Sequence, residues 1–206
     1  MITRLTGKLI RVLDDEVRVE VGPLEYQVLV PEAVRRQIQL LAGSEIRLFI
    51  NHYYESIANG ARFVPRLIGF LTEAELEFFE LFCTVEKIGA KKALKALARP
   101  VKEIADAISR QDAKWLATLP GIGATTAEQI VTTLKRKVAK FAFATEPSGD
   151  VATPSGVQGK LIEDLYAALM GLGLNPLDAR ARLDSLLQSG RPFETFDEAM
   201  TLIFTR

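Results

Sequence analysis

Only one cysteine, one histidine and one tryptophan occur among the 206 residues. A lone Cys83 excludes an internal disulfide and argues against a zinc ribbon. Set among Phe78, Phe79 and Phe82, it reads as a small buried hydrophobe. A single His52 leaves metal and triad chemistry without partners, and it reads as an ordinary polar residue on a strand. No glycine-rich loop ending in Gly-Lys-Ser or Gly-Lys-Thr is present, so a nucleotide-hydrolysing P-loop is excluded. Gly171-Leu172-Gly173 follows a helical pattern rather than a strand and reads as a helix stop. No metal-carboxylate cluster or defined nucleophile is visible, so neither a cofactor nor intrinsic catalysis is expected. No basic-then-apolar leader opens the chain and no apolar run nears membrane-spanning length; the expectation is a cytoplasmic protein with no membrane partner.

Net charge is also lacking, but its distribution is uneven. Residues 1–64 carry 8 basic and 8 acidic groups, residues 65–143 carry 13 and 9, and residues 144–206 carry 5 and 9. The surplus of positive charge falls on the middle of the chain, where a polyanion would be held.

The pattern divides into three parts. Over residues 1–70, Leu5, Leu9 and Ile10 mark a first strand, and Val17, Val19 and Val21 alternate with Arg18 and Glu20 in a second. Gly22-Pro23 turns into Tyr26, Val28 and Val30. Further runs span Ile46 to Tyr54 and Val64 to Phe70, with Asn59-Gly60 suited to a hairpin turn. Five or six strands plus a short helical stretch near Pro31 to Ile38 predict an OB-type β-barrel. Residues 71–142 read as helices, opened by a Thr72/Glu75 capping box with Leu71 stapled onto Leu76, broken at Pro100, and closed by a helix from about Gly123 to Val138. Residues 143–157 hold Pro147, Ser148, Gly149, Pro154, Ser155 and Gly156 and read as a flexible linker. Residues 158–206 predict a three-helix module over about 158–171, 176–188 and 195–204, with Asn175 and Thr195 as caps. So small a module usually exists to bind a partner. The fold class is therefore α+β and multidomain.

Within the helical part, two stretches superimpose at an offset of 34. Val85, Ile88, Gly89 and Ala93 align with Leu119, Ile122, Gly123 and Ala127. Each places an apolar-Gly pair immediately before a helix, whose first amides are uncovered at the positive end of its dipole. One such bend is as readily structural as functional; two in one small domain point to grip on a nucleic-acid backbone. The candidate phosphate contacts are Lys87, Ile88, Gly89, Ala90 and Lys91 in the first hairpin, and Gly121, Ile122, Gly123, Ala124 and Thr125 in the second. A β-branched residue at Gly123 is expected to disturb the bend. Tyr53, Tyr54 and Glu55 either line a nucleic-acid face or form the outward face of a hairpin; a carboxylate at a hairpin tip would repel phosphates and guide strands apart.

These features together resemble the RuvA family of junction-binding subunits in bacterial branch-migration complexes. The resemblance is carried by Met1-Ile2-Thr3-Arg4-Leu5-Thr6-Gly7, Ile68-Gly69-Phe70 leading into Glu75, Glu77, Phe78 and Phe79, Leu119-Pro120-Gly121-Ile122-Gly123 with Thr126-Ala127-Glu128, and Ala168-Leu169 with Leu172-Gly173. It implies a homotetramer or double tetramer that holds four-way Holliday junction DNA in an open planar form through helix–hairpin–helix phosphate contacts. It further implies a junction pin at Glu55 and Ser56, and a tail that recruits a RuvB-type hexameric ATPase through Leu169, Leu172 and Leu174, in recombination and DNA repair. A RuvC-type resolvase is a further partner it allows. Departures from the family pattern are specific. Lys87 stands where a first glycine is usual, Ala124 and Thr125 replace a usual pair of lysines, and Glu55 is followed by Ser56 where a second acid is usual. The loop to Phe70 is also longer. Backbone donation survives these changes but two charge contacts do not, so weaker and less salt-sensitive DNA binding is expected. A scaffold of the same fold that has lost tight DNA binding is the alternative reading.

Overall fold

The computed structural model describes residues 1–57, 60, 62–142, 156–189, 191, 193 and 195–204. Asn59 and residues 143–155 of the expected linker lie outside the described residues.

Five strands form a closed barrel: β1 (Arg4–Val12), β2 (Glu16–Val21), β3 (Leu24–Leu29), β4 (Glu45–Ile57) and β5 (Arg62–Phe70). Their order around the barrel is β1-β2-β3-β5-β4. All neighbours run antiparallel except β3 and β5, which meet in parallel at Leu29 and Ile68 and close the ring. Within the barrel, closure covers the edges that an open sheet would leave free. Alternation explains the filling: Val17 and Val19 are fully buried while the intervening Arg18 and the following Glu20 reach outward. Between β3 and β4, α1 (Glu32–Ile38) adds Val34 and Ile38 to the barrel core.

β4 is longer than the barrel requires. It pairs with β1 only over Glu45 to Phe49, whereas its pairing with β5 continues from Phe49 opposite Phe70 to Ile57 opposite Arg62. The last part of the β4–β5 hairpin is thus a two-stranded ribbon running beyond the barrel.

The helical part begins with α2 (Glu73–Phe82). Both halves of its capping box form: Thr72 Oγ1 accepts from the Glu75 amide at 3.1 Å, and Glu75 Oε2 accepts from the Thr72 amide at 3.0 Å. Burial raises the pKa of the Glu75 carboxyl, against the lowering effect of these bonds. Leu71 packs on the barrel core and Leu76 on the helical core. Then come α3 (Ala90–Ala96), α4 (Val101–Ser109), α5 (Ala113–Leu116), α6 (Ala124–Leu134) and α7 (Ala139–Ala142) around a second core. Phe78, Phe79, Phe82, Ile104 and Ile108 are buried in it. Cys83 is half-buried beside them, and burial pushes its thiol pKa up to about 11.

Helix α6 stops at Leu134, four residues before the expected end. Lys137 donates its amide to the Leu134 carbonyl at 2.7 Å, and the resulting turn buries Val138 and Phe141. The Phe141 ring meets Phe78 edge-on at 5.2 Å. Tertiary packing of these two side chains decides where the helix ends.

The tail folds as α8 (Gly156–Gly171), α9 (Pro176–Gln188) and α10 (Phe196–Phe204) on a third core around Leu165, Leu169 and Leu183. Asn175 Oδ1 caps α9 by accepting from the Asp178 amide at 2.9 Å, and Thr195 and Glu198 bond reciprocally at the start of α10. This acidic tail packs on basic α1. Arg35 reaches Asp184 at 3.3 Å, and Arg180 donates to the Asp14 carbonyl at 2.8 Å. Arg36, almost wholly buried, lies over the Tyr166 ring at 4.0 Å and donates to the Ala98 carbonyl at 2.8 Å, so one guanidinium touches all three parts of the chain.

Candidate nucleic-acid interface

The two hairpins agree in backbone geometry as closely as in sequence. Lys87 and Gly121, 34 apart, both take the left-handed conformation, with φ of 66° and 77°. Ile88 donates to Val85 and Ile122 to Leu119, at 3.1 and 3.0 Å. Gly89 and Gly123 then open α3 and α6 at φ −93°, ψ 174° and φ −94°, ψ 171°. Neither helix has a side-chain cap, so no side chain competes for the first-turn amides. Equivalent residues also touch: Lys92 Nζ donates to Thr126 Oγ1 at 3.4 Å. Contact between positions 34 apart brings the first turns of the two helices next to each other. Neither Lys92 nor Thr126 is a candidate on sequence grounds, although the shared offset of 34 is the signal that pairs them.

Candidate residues separate by exposure. Gly89, Lys91, Gly121, Gly123, Ala124, Thr125 and Lys87 are exposed, and Ala90 is half-buried. Ile88 and Ile122 are buried in the helical core, so they anchor the bends and can offer a ligand only main chain. The expectation for Gly123 needs correction. Its backbone is extended, which any residue adopts, and an added Cβ would meet nothing within 4 Å. The glycine whose conformation the bend demands is Gly121, two residues earlier. In the first hairpin that place is taken by Lys87, a lysine held where its Cβ crowds the carbonyl. Lys87→Gly is therefore expected to stabilise the chain by about 0.5–1 kcal/mol, raising the midpoint of thermal unfolding by roughly 2 °C. An unchanged or lower midpoint would contradict this.

The acidic pin also departs from expectation. Glu55 does not stand free at a hairpin tip: it lies within the β4–β5 ladder opposite Val64 and is only 8% exposed. Its carboxylate is held by Lys91 of the first hairpin and by Arg66 Nε at 2.8 Å. Lys91 and Arg66, in that order, hold the carboxyl below its ordinary value of 4.5 by hydrogen bonding. A candidate phosphate lysine and the candidate pin acid thus neutralise one another. The cause is strand alternation, which turns odd-numbered Glu55 toward the helices and leaves Ser56 exposed on the opposite face, across from Phe63. Because the folded pKa is depressed, this contact adds stability above pH 4.5 that disappears as pH falls through the folded value. The difference in melting temperature between the natural chain and Glu55→Gln should accordingly shrink as pH is lowered from 7 to 3; a constant difference would argue against the contact.

Of the two tyrosines, Tyr53 packs toward the helical core and Tyr54 faces outward. His52 Nδ1 accepts from the Ile2 amide at 3.2 Å. In the tail, Leu169 is fully buried in the module's own core and Leu174 is half-buried, while Leu172 is 61% exposed. Among the described residues no three His, Cys, Asp or Glu side chains are grouped to hold a metal ion, and no helix is long and apolar enough to cross a membrane.

A closed five-stranded barrel followed by two helix–hairpin–helix motifs and a helical tail defines a mixed α+β class built around backbone-directed hairpins. Comparison with known proteins places the barrel and the hairpin region in described families. The family model described as RuvA N terminal domain matches residues 1–56, and that described as SAM-like Helix-hairpin-helix tandem matches residues 79–136. A protein of Rhodopirellula baltica called Holliday junction branch migration complex subunit RuvA is 43% identical over 206 residues, covering 100% of this chain and 99% of the relative. Proteins of the same name from Desulfosudis oleivorans and Chlorobaculum tepidum are 35% and 34% identical, covering 96% and 92% of the chain and 96% and 90% of their own lengths. The chain belongs to the RuvA family.

Proposed function

We propose that this chain is a non-catalytic DNA-binding subunit of a branch-migration complex, gripping four-way junctions by their phosphates. The observation that supports this most is the duplicated bend: a left-handed residue, a buried isoleucine and an uncapped helix start, repeated at an offset of 34. Amides of this kind donate to phosphate oxygens without reading bases, which suits a protein that must accept any sequence at a moving crossover. Exposed Gly89 and Gly123 let a sugar–phosphate chain approach the amides closely. On this reading Lys91 adds a charge when phosphate displaces Glu55.

The rest of the reading follows family membership. Four copies hold the junction open and flat, the barrel serves assembly, and the tail recruits a RuvB-type ring ATPase that drives the DNA. Exposed Leu172 and, at the start of α9, exposed Leu177 are apolar surface such a partner would cover. Leu169 lies in the module's own core. A scaffold with weakened DNA binding is the second reading, favoured by one observation: Lys91 is already paired, and Ala124 and Thr125 carry no charge.

Gel-shift competition between a four-way junction and a linear duplex of matched sequence tests the proposal. A preference for the junction is expected. Equal affinity, or capture of the ATPase with no junction binding, would favour the scaffold.

A further inference from the structure

We infer that the free face of the β4–β5 ribbon is a stacking platform for unpaired nucleobases, built from Tyr54 and Phe63. The inference rests on the DNA-binding reading above only for where the bases come from.

Register defines two faces. Tyr54 pairs with Pro65 and Ser56 with Phe63, so these four side chains share one face; Tyr53, Glu55, Val64 and Arg66 share the other. The second face is seated on the helical part: Tyr53 packs on its core, Glu55 meets Lys91, and Asn51 Nδ2 donates to Glu80 at 3.1 Å. Among the described residues the one ring contact on the first face is that of His52, whose ring lies 5.8 Å from that of Tyr54 on the same face. Tyr54 is 67% and Phe63 65% exposed, among the largest exposures of bulky apolar side chains in the described residues. A ribbon gains little stability from aromatic rings left this exposed; in water they cost apolar burial that a polar residue would not forgo. The second face, seated on the helical part, backs the ribbon that presents them.

Charge and size select the occupant. The ribbon's one acid is turned to the opposite face and neutralised by two cations, so the Tyr54–Phe63 face itself carries no negative charge, and Arg62 stands exposed at the ribbon's far end on the other face. A polyanion is admitted where an acidic tip would have repelled it. Tyr54 and Phe63 are diagonal neighbours, a relation that separates residues across a strand pair by roughly 7–8 Å, with Cβ atoms somewhat nearer. That is about twice the ~3.4 Å rise of a stacked base, the room one base needs between two rings. A second copy of the chain is a poorer fit. Four side chains on two strands present on the order of 100–200 Å², against about 800 Å² per partner in a stable interface. The ribbon would therefore part strands at a crossover by capturing bases on aromatic faces, not by repelling phosphates.

Two probes test this on the full chain: a single strand of deoxythymidines carrying 5-iodouracil, and a four-way junction with 5-iodouracil at the crossing. Ultraviolet cross-links to both are expected to map to Tyr54 and Phe63. Tyr54→Leu/Phe63→Leu, which keeps apolar bulk on an exposed face, should lower single-strand affinity about 10-fold or more and leave linear-duplex affinity unchanged. Cross-links mapping elsewhere, or equal single-strand affinity in the variant, would overturn the inference even if junctions bind. Cross-links at these residues without junction preference would uphold it while the junction reading fails. A variant that changes assembly mass but not cross-linking would assign the face to a second copy and likewise overturn it.

Discussion

Gly89→Thr/Gly123→Thr is expected to fold as well as the natural chain and to bind four-way junctions at least 100-fold more weakly. Both glycines are extended and in open space, so threonine meets no strain and no clash. As an N-cap, threonine is about as favourable as glycine, and its hydroxyl can accept from the second or third amide of the helix. That occupied amide is one of those proposed to hold a phosphate, and the added methyl stands in the path of the sugar–phosphate chain. A charge-assisted bond lost at each hairpin is worth about 1.5–3 kcal/mol, or roughly 10- to 100-fold per site. Thermal unfolding and gel shift on the same preparation separate the two effects. Loss of stability would mean the glycines serve the bend itself, and retained affinity would mean the hairpins are not the grip.

This result bears on why sequence alone misjudged Gly123. Glycine beside a helix start reads as a turn requirement, and the chain does contain such a requirement, but it falls on Gly121 and on its counterpart Lys87. Which of two neighbouring glycines carries positive φ depends on how Ile122 is drawn into the core, a tertiary fact. The barrel was legible because period-2 alternation acts locally, as in Val17 and Val19. The capping box at Thr72 and the cap at Thr195 were legible for the same reason. Pairing of Glu55 with Lys91 was not, since it joins residues from two separately folded parts. The exposed Tyr54–Phe63 face needed the register of β4 on β5, which no residue in either strand announces. Packing of the tail on α1 was equally hidden: an acidic surplus in one segment and Arg35 and Arg36 in another do not reveal that they meet.

Gly7→Ala should be among the most damaging single methyl additions in the barrel, and more damaging than Gly69→Ala. A Cβ at Gly7 would lie 2.2 Å from the backbone carbonyl oxygen of Glu20 and 2.8 Å from Val21 Cγ2. Glu20 belongs to β2, which is hydrogen-bonded along β1 with Lys8 opposite Glu20, so the carbonyl cannot retreat without opening the ladder. At Gly69 the obstacles are side-chain atoms, Val28 Cγ1 at 2.8 Å and Leu48 Cδ1 at 3.0 Å. Those can shift by rotation at an overpacking cost of about 1–3 kcal/mol. Backbone displacement in β1 and β2 has no such outlet, and a loss of about 3 kcal/mol or more is expected for Gly7→Ala. Denaturant unfolding of the two variants orders them; Gly69→Ala proving the worse would show that β2 gives way more easily than the core. Barrel integrity matters beyond stability, because β1 holds β4 in register over Glu45 to Phe49 and β4 carries Tyr54 and Glu55 outward from there. A methyl group at residue 7 should therefore loosen the ribbon as well, and Tyr54/Phe63 cross-linking should fall in Gly7→Ala even at temperatures where the chain remains folded.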